Sequence, residues 1–315
     1  MAYRFKLNEP TEKGFRRIGL EQIERAQAEL EATAEPDTAI HEARKTMKRV
    51  RALLRLGRVG LGDDVFKEEN ARFREIALLL APARDKHVLL QTVLKIEVSA
   101  GAVASAGLAA FKKVVQDDIA ASKPGTGEGV SEAIERLRAA AKKFRRLKLD
   151  PDDFCVLQRG LEASYRTGRR LVAVAYATGH DEDFHEWRKS VQQHWRHMAL
   201  LSRPWPEMLE ARVNAAKELS QLLGDDHDLA QLALAAETCA PGRMADMHAQ
   251  EIVRLVRQKQ SELRQEALPR GQILFAEGAR SHGRRMGEMW QAASDLASLQ
   301  DAKQEHEPKQ KKEAS

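Results

Sequence analysis

A chain of 315 residues is long enough to bury one large core, or two of ordinary size, without disulfides or a structural metal. Its 31% charged and only 5% aromatic residues are typical of helices, and this composition excludes an all-β sandwich. Lys and Arg number 52 against 47 Asp and Glu, so the net charge of +5 says little about partners until the charges are placed along the chain.

Apolar residues recur at spacings of three and four along most of the chain, which predicts about eight to ten amphipathic helices and an all-α fold. Residues typical of turns mark the breaks between these helices. In chain order the predicted breaks lie at 35–37, 57–64, 81–82, 123–127, 149–151, 179–183, 203–206, 241–242 and 269–271. Segment 301–315 is almost free of apolar residues and is predicted to be a disordered tail.

The two cysteines, Cys155 and Cys239, make neither a disulfide framework nor a metal-ligand cluster. No stretch approaches 18 uninterrupted apolar residues, and the first ten residues lack the apolar core of a signal peptide. We therefore expect a cytoplasmic protein with no cofactor, no bound metal and no membrane partner.

Two motifs occur twice in the same order. His-Glu-x-Arg-Lys stands at 41–45 and again at 185–189, and a Leu-Leu pair followed by a final Asp stands at 79–85 and again at 222–228. The copies are 144 and 143 residues apart. This pattern predicts two homologous halves, 1–148 and 149–298, each a four-helix bundle, related by a pseudo-two-fold axis.

The predicted helix after residue 37 carries cations on one face. At 100° per residue, a stripe of about 120° contains His41, Arg44, Lys45, Lys48, Arg51 and Arg55. The opposite, core-facing side contains Ala43, Met47, Val50 and Leu54. Like charges three or four residues apart destabilise a helix by about 0.2–0.5 kcal/mol per pair, so this stripe indicates an anionic ligand.

The second His-led helix is predicted to begin after Asp183, with Glu186 as its capping-box partner. Its stripe contains His185, Arg188, Lys189 and Arg196, and it is weaker because Gln192 and Gln193 stand at the positions of Lys48 and Arg49. Neighbouring segments supply further candidates for anion binding: Arg17, Arg74, Arg84, Arg166, Arg169 and Arg170. We expect the two stripes to face each other across a shared basic cleft, with acidic residues on the outer faces.

The paired His-led helices, the paired Leu-Leu turns and the Tyr165-Arg166-x-x-Arg169-Arg170 segment resemble the CHAD domain over about residues 5–298. The resemblance implies two four-helix bundles and a basic central surface that binds inorganic polyphosphate, in some members on polyphosphate granules. It implies a binding role for His41, Arg44, Lys48, Arg49, Arg51, Arg84, Arg166, Arg169, His185 and Arg188. The chain departs from the family pattern at Gln192, where Lys is usual, and at Arg196, where an aromatic residue is usual.

We therefore expect a non-catalytic polyphosphate-binding protein in which His41 and His185 donate hydrogen bonds to phosphate. Three alternatives stay open: a nucleic-acid-binding protein, a helical scaffold for other proteins, and a metal-dependent phosphohydrolase that uses the residues at 225–228. The low aromatic content and the absence of a known nucleic-acid motif argue against the first. The first half has no equivalent acidic run, which argues against a metal at 225–228; His194 is expected to be a core residue.

Overall fold

The computed structural model describes residues 3–32, 36–80, 85–97, 102–121, 127–239 and 242–306, and the regular elements in these ranges are helices. They are α1 (Thr11–Glu31), α2 (Pro36–Leu56), α3 (Arg58–Leu61), α4 (Asp63–Leu79), α5 (Asp85–Glu97), α6 (Ala102–Ala120), α7 (Gly127–Phe144), α8 (Phe154–Thr178), α9 (Asp181–Leu200), α10 (Pro206–Glu237), α11 (Asp246–Leu274) and α12 (Ala279–His306). This arrangement confirms the all-α prediction. None of the described helices combines the length and the apolar character needed to cross a membrane.

Local signals explain both ends of α8, and its C-terminal end falls at the predicted break at 179–183. The Asp153 carboxylate accepts a hydrogen bond from the Cys155 amide at 2.7 Å and caps the start of α8. Gly179 ends the same helix with φ of +71°, a left-handed conformation that glycine adopts without a steric cost. The predicted break at 81–82 lies outside the described residues.

Three predictions of helix boundaries are wrong. α9 begins at Asp181, so Asp183 lies inside the helix and is not its cap. α11 continues through Pro269, where Gly271 leaves room for the Trp187 ring, so packing against the neighbouring helix outweighs the local break signal. α12 continues to His306, so 301–306 of the predicted tail is helical; residues 307–315 lie outside the described residues.

The first core lies between α1, α2, α4 and α7. Phe15 of α1 stacks on Phe144 of α7 with ring centroids 5.5 Å apart, and Phe73 of α4 meets Phe144 edge-on. The four side chains predicted to face this core from α2 are buried: Ala43, Met47, Val50 and Leu54. Burying this stripe leaves the cationic side of α2 to face away from the core.

The second core lies between α8, α9, α10 and α11, with Tyr165, Trp187 and Leu219 among its buried residues. A third core joins α5 and α6 to the far ends of α10 and α11, with Phe111 and Ile252 fully or almost fully buried. Helices α5 and α6 therefore pack across the predicted boundary at 148, because α10 and α11, of 32 and 29 residues, extend well beyond the second core.

Candidate functional site

Helices α2, α8 and α9 enclose a cleft of about 450 Å³, which we call the central cleft. The Nε2 atom of His197 on α9 lies 3.0 Å from the carbonyl oxygen of Ala52 on α2 and ties these two helices together. Gly160 sets the distance between α8 and α2, because a Cβ atom at this position would collide with the carbonyl of Leu56. The cleft therefore exists where the backbones of α2 and α8 approach closely on one side and α9 closes the other.

Cationic side chains dominate the walls of the central cleft. Those that line it are Lys48, Arg51, Arg55, Arg58, Lys189 and Arg196. Glu186 is the one acidic residue among the lining residues that the structure describes. The α8 residues that line the cleft are uncharged, and the buried Ser164 hydroxyl among them has no hydrogen-bond partner among the described residues. Gln192 and Gln193 also line the cleft and add amide donors beside the cations.

Some of these cations already have partners. Arg58 pairs with Asp63 at 2.8 Å, and Lys189 pairs with Glu186 one turn earlier on α9. The Nε atom of Arg51 donates to the Asn70 side-chain oxygen at 3.0 Å, which satisfies a hydrogen bond but does not neutralise the charge.

Arg55 and Arg196 are different, because no carboxylate of the described residues lies within 4 Å of either guanidinium. Arg196 is only 8% exposed; its Nη1 donates to the Gln192 carbonyl oxygen at 2.7 Å, its guanidinium carbon lies 4.3 Å from the Trp195 ring centroid, and its buried Nε has no partner in the described part of the chain. Arg55 is half-buried between two other cations. Neither guanidinium therefore forms a close ion pair within the described part of the chain, and Glu186 only partly offsets the charge of Arg55.

Burial and like charges perturb these two residues. Burial, with a further contribution from Arg51 and Arg58, lowers the pKa of Arg55 to about 10. Burial, partly offset by Tyr3 and reinforced by Arg49, lowers the pKa of Arg196 to about 10. Both stay protonated at neutral pH, and a bound anion would relieve the cost of keeping them charged.

Five of the residues predicted from the sequence line the central cleft: Lys48, Arg51, Arg55, Lys189 and Arg196. Arg58 was missed, because the break at Gly57 separates it from the α2 stripe although it lies three residues after Arg55. Ser164 and Gly160 were missed as well, since neither carries a charge pattern; only the close approach of two helices gives them a role.

The other predicted residues of the first half lie outside the cleft wall. Arg44 donates to the Leu80 carbonyl oxygen at 3.2 Å, Lys45 pairs with Glu42 at 2.7 Å, and His41 is half-buried on α2. Arg17 forms ion pairs with two glutamates. Arg44 and Arg17 thus join separate segments of the chain, and Lys45 pairs within its own helix, so the sequence pattern of these three cations has a structural explanation as well.

Three more first-half predictions have distinct surroundings. The guanidinium of Arg49 lies 5.7 Å from the Tyr3 ring centroid, on the side of α2 next to the N-terminal segment. Arg74 is exposed on α4 and lowers the pKa of Arg51 through its charge, secondary to the effect of burial. Arg84 lies outside the described residues.

Two residues of the second His-led motif, His185 and Arg188, face α10. His185 stacks on His227 with ring centroids 3.9 Å apart, and burial, with the nearby His227, lowers the pKa of His185 to about 4. The Arg188 guanidinium packs over Gly224 on α10, within range of the Asp228 carboxylate. Because both side chains lie against α10, the expectation that His185 donates to a phosphate in the cleft has no geometric support.

The remaining three predicted residues are exposed on α8: Arg166, Arg169 and Arg170. None of them lines the central cleft. Their role in binding stays a prediction.

The acidic run at 225–228 lies inside α10 and not in a turn, in contrast to the predicted Leu-Leu turn. Asp226 is 1% exposed and accepts a hydrogen bond from Arg264 of α11 at 2.6 Å, and Asp225 pairs with Lys95 of α5 at 3.3 Å. Within the described ranges, no group of three His, Cys, Asp or Glu side chains is placed to hold a metal ion. His194 is fully buried in the second core, as predicted.

The fold and the cleft define a helical protein that gathers cationic side chains between three of its helices. The chain belongs to the CHAD domain family, whose model matches residues 17–237. This match includes α2, α8 and α9, the three helices that form the central cleft. The resemblance inferred from the sequence is therefore confirmed.

Among solved structures, the chain is similar to PptA from Streptomyces chartreusis, with a TM-score of 0.58 and 17% sequence identity. The match covers 85% of this chain and 100% of that chain. At this identity the likeness shows a shared fold. A search of curated proteins gives no match.

Proposed function

We propose that this protein binds linear inorganic polyphosphate, without catalysis, in the central cleft. The observation that carries the proposal is the positive charge of Arg55 and Arg196, which line the cleft with no carboxylate of the described residues within 4 Å of either guanidinium. A buried cation without a counterion is costly, and a bound anion removes that cost. Membership of the CHAD family supports the same ligand, because the family resemblance implies polyphosphate binding.

The spacing of the cations suits a linear polymer. Lys48, Arg51 and Arg55 follow one another at intervals of three and four residues, which correspond to rises of about 4.5 and 6 Å along the axis of α2. Lys189 and Arg196 face the same cleft from α9. Arginine forks bridge two phosphate oxygens, whereas lysine supplies a movable point charge, so successive phosphates find successive donors.

We also propose that the two halves of the chain arose by duplication and are related by a pseudo-two-fold axis. Both copies of the His-led motif lie on helices that line the central cleft, α2 and α9, which supports this relation. The cations on one face of α2 and those on one face of α9 would then lie next to each other at the axis. Binding of this kind would recruit the cytoplasmic protein to polyphosphate granules.

A competition titration tests the proposed ligand. Fluorescently labelled long-chain polyphosphate is bound to the wild-type protein and challenged with unlabelled polyphosphate, duplex DNA or RNA at equal charge concentration. We expect displacement by polyphosphate alone, because a cleft of about 450 Å³ admits a single chain but not a duplex. Equal displacement by duplex DNA or RNA would overturn the proposal in favour of a nucleic-acid-binding protein.

A second assay tests the absence of catalysis. The protein is incubated with polyphosphate and Mg²⁺ or Mn²⁺, and released phosphate is measured. We expect no release above the level of a heat-denatured sample. Turnover that the Asp228→Ala substitution abolishes would show a metal-dependent phosphohydrolase instead.

A further inference from the structure

Glu186 is an acidic residue on the wall of a cleft that is otherwise cationic or neutral in the described part of the chain. Its carboxylate pairs with Lys189 and contributes a favourable charge to the neighbouring Arg55. The carboxylate therefore occupies a position beside Lys189 and Arg55 that a ligand anion would take. We propose that Glu186 is an affinity-limiting residue of the central cleft, whose carboxylate competes with bound phosphate for Lys189.

This inference rests on the proposed function. When a phosphate chain enters the cleft, a phosphate near Lys189 and Arg55 must either displace the Glu186 carboxylate or lie beside it with like-charge repulsion. In both cases the contact of Lys189 with phosphate releases less free energy than that of a cation without a partner. The side chain of Glu186 is 42% exposed, so it has room to turn away when phosphate takes its place.

The first half of the chain contains a matched control. Glu42 and Lys45 form the same ion pair at the same spacing in the other copy of the motif, with 2.7 Å between Oε1 and Nζ. Neither of these residues lines the central cleft. Substituting Glu42 therefore removes the same charge and frees the same kind of lysine, but away from the proposed ligand.

The test compares Glu186→Gln with Glu42→Gln and the wild type in titrations with long-chain polyphosphate at 50 and 200 mM salt. Freeing one cation adds one released counterion, and for a single-stranded polyanion this steepens the slope of log K against log salt by about 0.7. The expected gain in affinity for Glu186→Gln is then about eightfold at 50 mM and about threefold at 200 mM salt. Glu42→Gln is expected to bind like the wild type.

A double variant shows whether the effect passes through Lys189. In the Lys189→Gln background, the gain from Glu186→Gln is expected to shrink, because the cation that the carboxylate occupies is gone. Circular dichroism and thermal unfolding of each variant establish that the fold is intact. A full gain without Lys189 would contradict competition for that lysine.

The outcomes separate this inference from the proposed function. A wild-type protein that fails to bind polyphosphate overturns the proposed function itself. A wild-type protein that binds, together with a Glu186→Gln variant that binds no more tightly, overturns only the role of Glu186. Equal gains from Glu186→Gln and Glu42→Gln would show that total charge, and not the cleft, sets affinity.

Discussion

Removing Arg51 and Arg55 together tests whether the central cleft, and not the overall positive charge, holds the polyanion. Six cations line the cleft, but Arg58 and Lys189 are already paired with carboxylates of the protein. Counting one phosphate contact for each of the other four, at about 0.7 per contact of a single-stranded polyanion, the slope of log K against log salt should be about −2.8 for the wild type and about −1.4 for an Arg51→Gln/Arg55→Gln variant. Between 50 and 200 mM salt the wild type should lose about 50-fold in affinity, and the variant about sevenfold.

The assay is a fluorescence titration with labelled polyphosphate at four salt concentrations. Arg145→Gln/Arg146→Gln is the matched control, because these residues are exposed beyond the end of α7 and outside the cleft, and their loss changes the net charge equally. We expect the control to keep the wild-type slope. If the slope of log K against log salt became equally shallow in both variants, or changed in neither, binding at the cleft would be refuted.

Three further predictions concern the scaffold. Gly160→Ala should destabilise the fold by about 1–3 kcal/mol and weaken polyphosphate binding, because its Cβ forces α2 and α8 apart; thermal unfolding that matches the wild type would contradict this. Arg264→Ala should cost about 3–5 kcal/mol in urea unfolding, since it leaves the buried Asp226 carboxylate without its arginine counterion, and Asp226→Asn in the same background should recover part of the loss. Burial lowers the pKa of His197 and of His282 to about 4, below the value of an unfolded histidine. The stability that these neutral histidines contribute should therefore be full above about pH 6.5 and fall by roughly 1 kcal/mol per pH unit for each histidine down to about pH 4. An unchanged slope of unfolding free energy against pH in His282→Asn would contradict this assignment.

Periodicity and composition were enough to predict the helical class and the buried side of α2. The four residues predicted to face the core are buried, because apolar residues at spacings of three and four form one face of a helix and that face is removed from water by packing. Local break signals were less dependable. Pro269 lies within α11 because the packing of Gly271 against Trp187 holds the helix together, and a sequence window contains no information about that contact.

The charge pattern predicted five of the six cations that line the central cleft, but it also included residues that lie outside the cleft. Lys48, Arg51 and Arg55 follow from the α2 stripe, because one helical face is enough to define them. His185 and Arg188 share the helix of Lys189 but face α10, and only the packing of α9 against α10 decides this.

Residues without charge escaped prediction for a related reason. Gly160 lines the cleft because two backbones meet there, and Ser164 because its hydroxyl lies in the wall between them. Neither property can be predicted from residue spacing or composition.

A crystal structure of the protein with bound polyphosphate tests most directly whether the central cleft is the binding site. It should show a chain of phosphates along the central cleft, with oxygens within hydrogen-bond distance of Arg51, Arg55 and Arg196. Lys189 should contact phosphate only where the Glu186 side chain has turned away from it. Phosphates bound on the outer faces, with the cleft empty, would contradict polyphosphate binding in the central cleft.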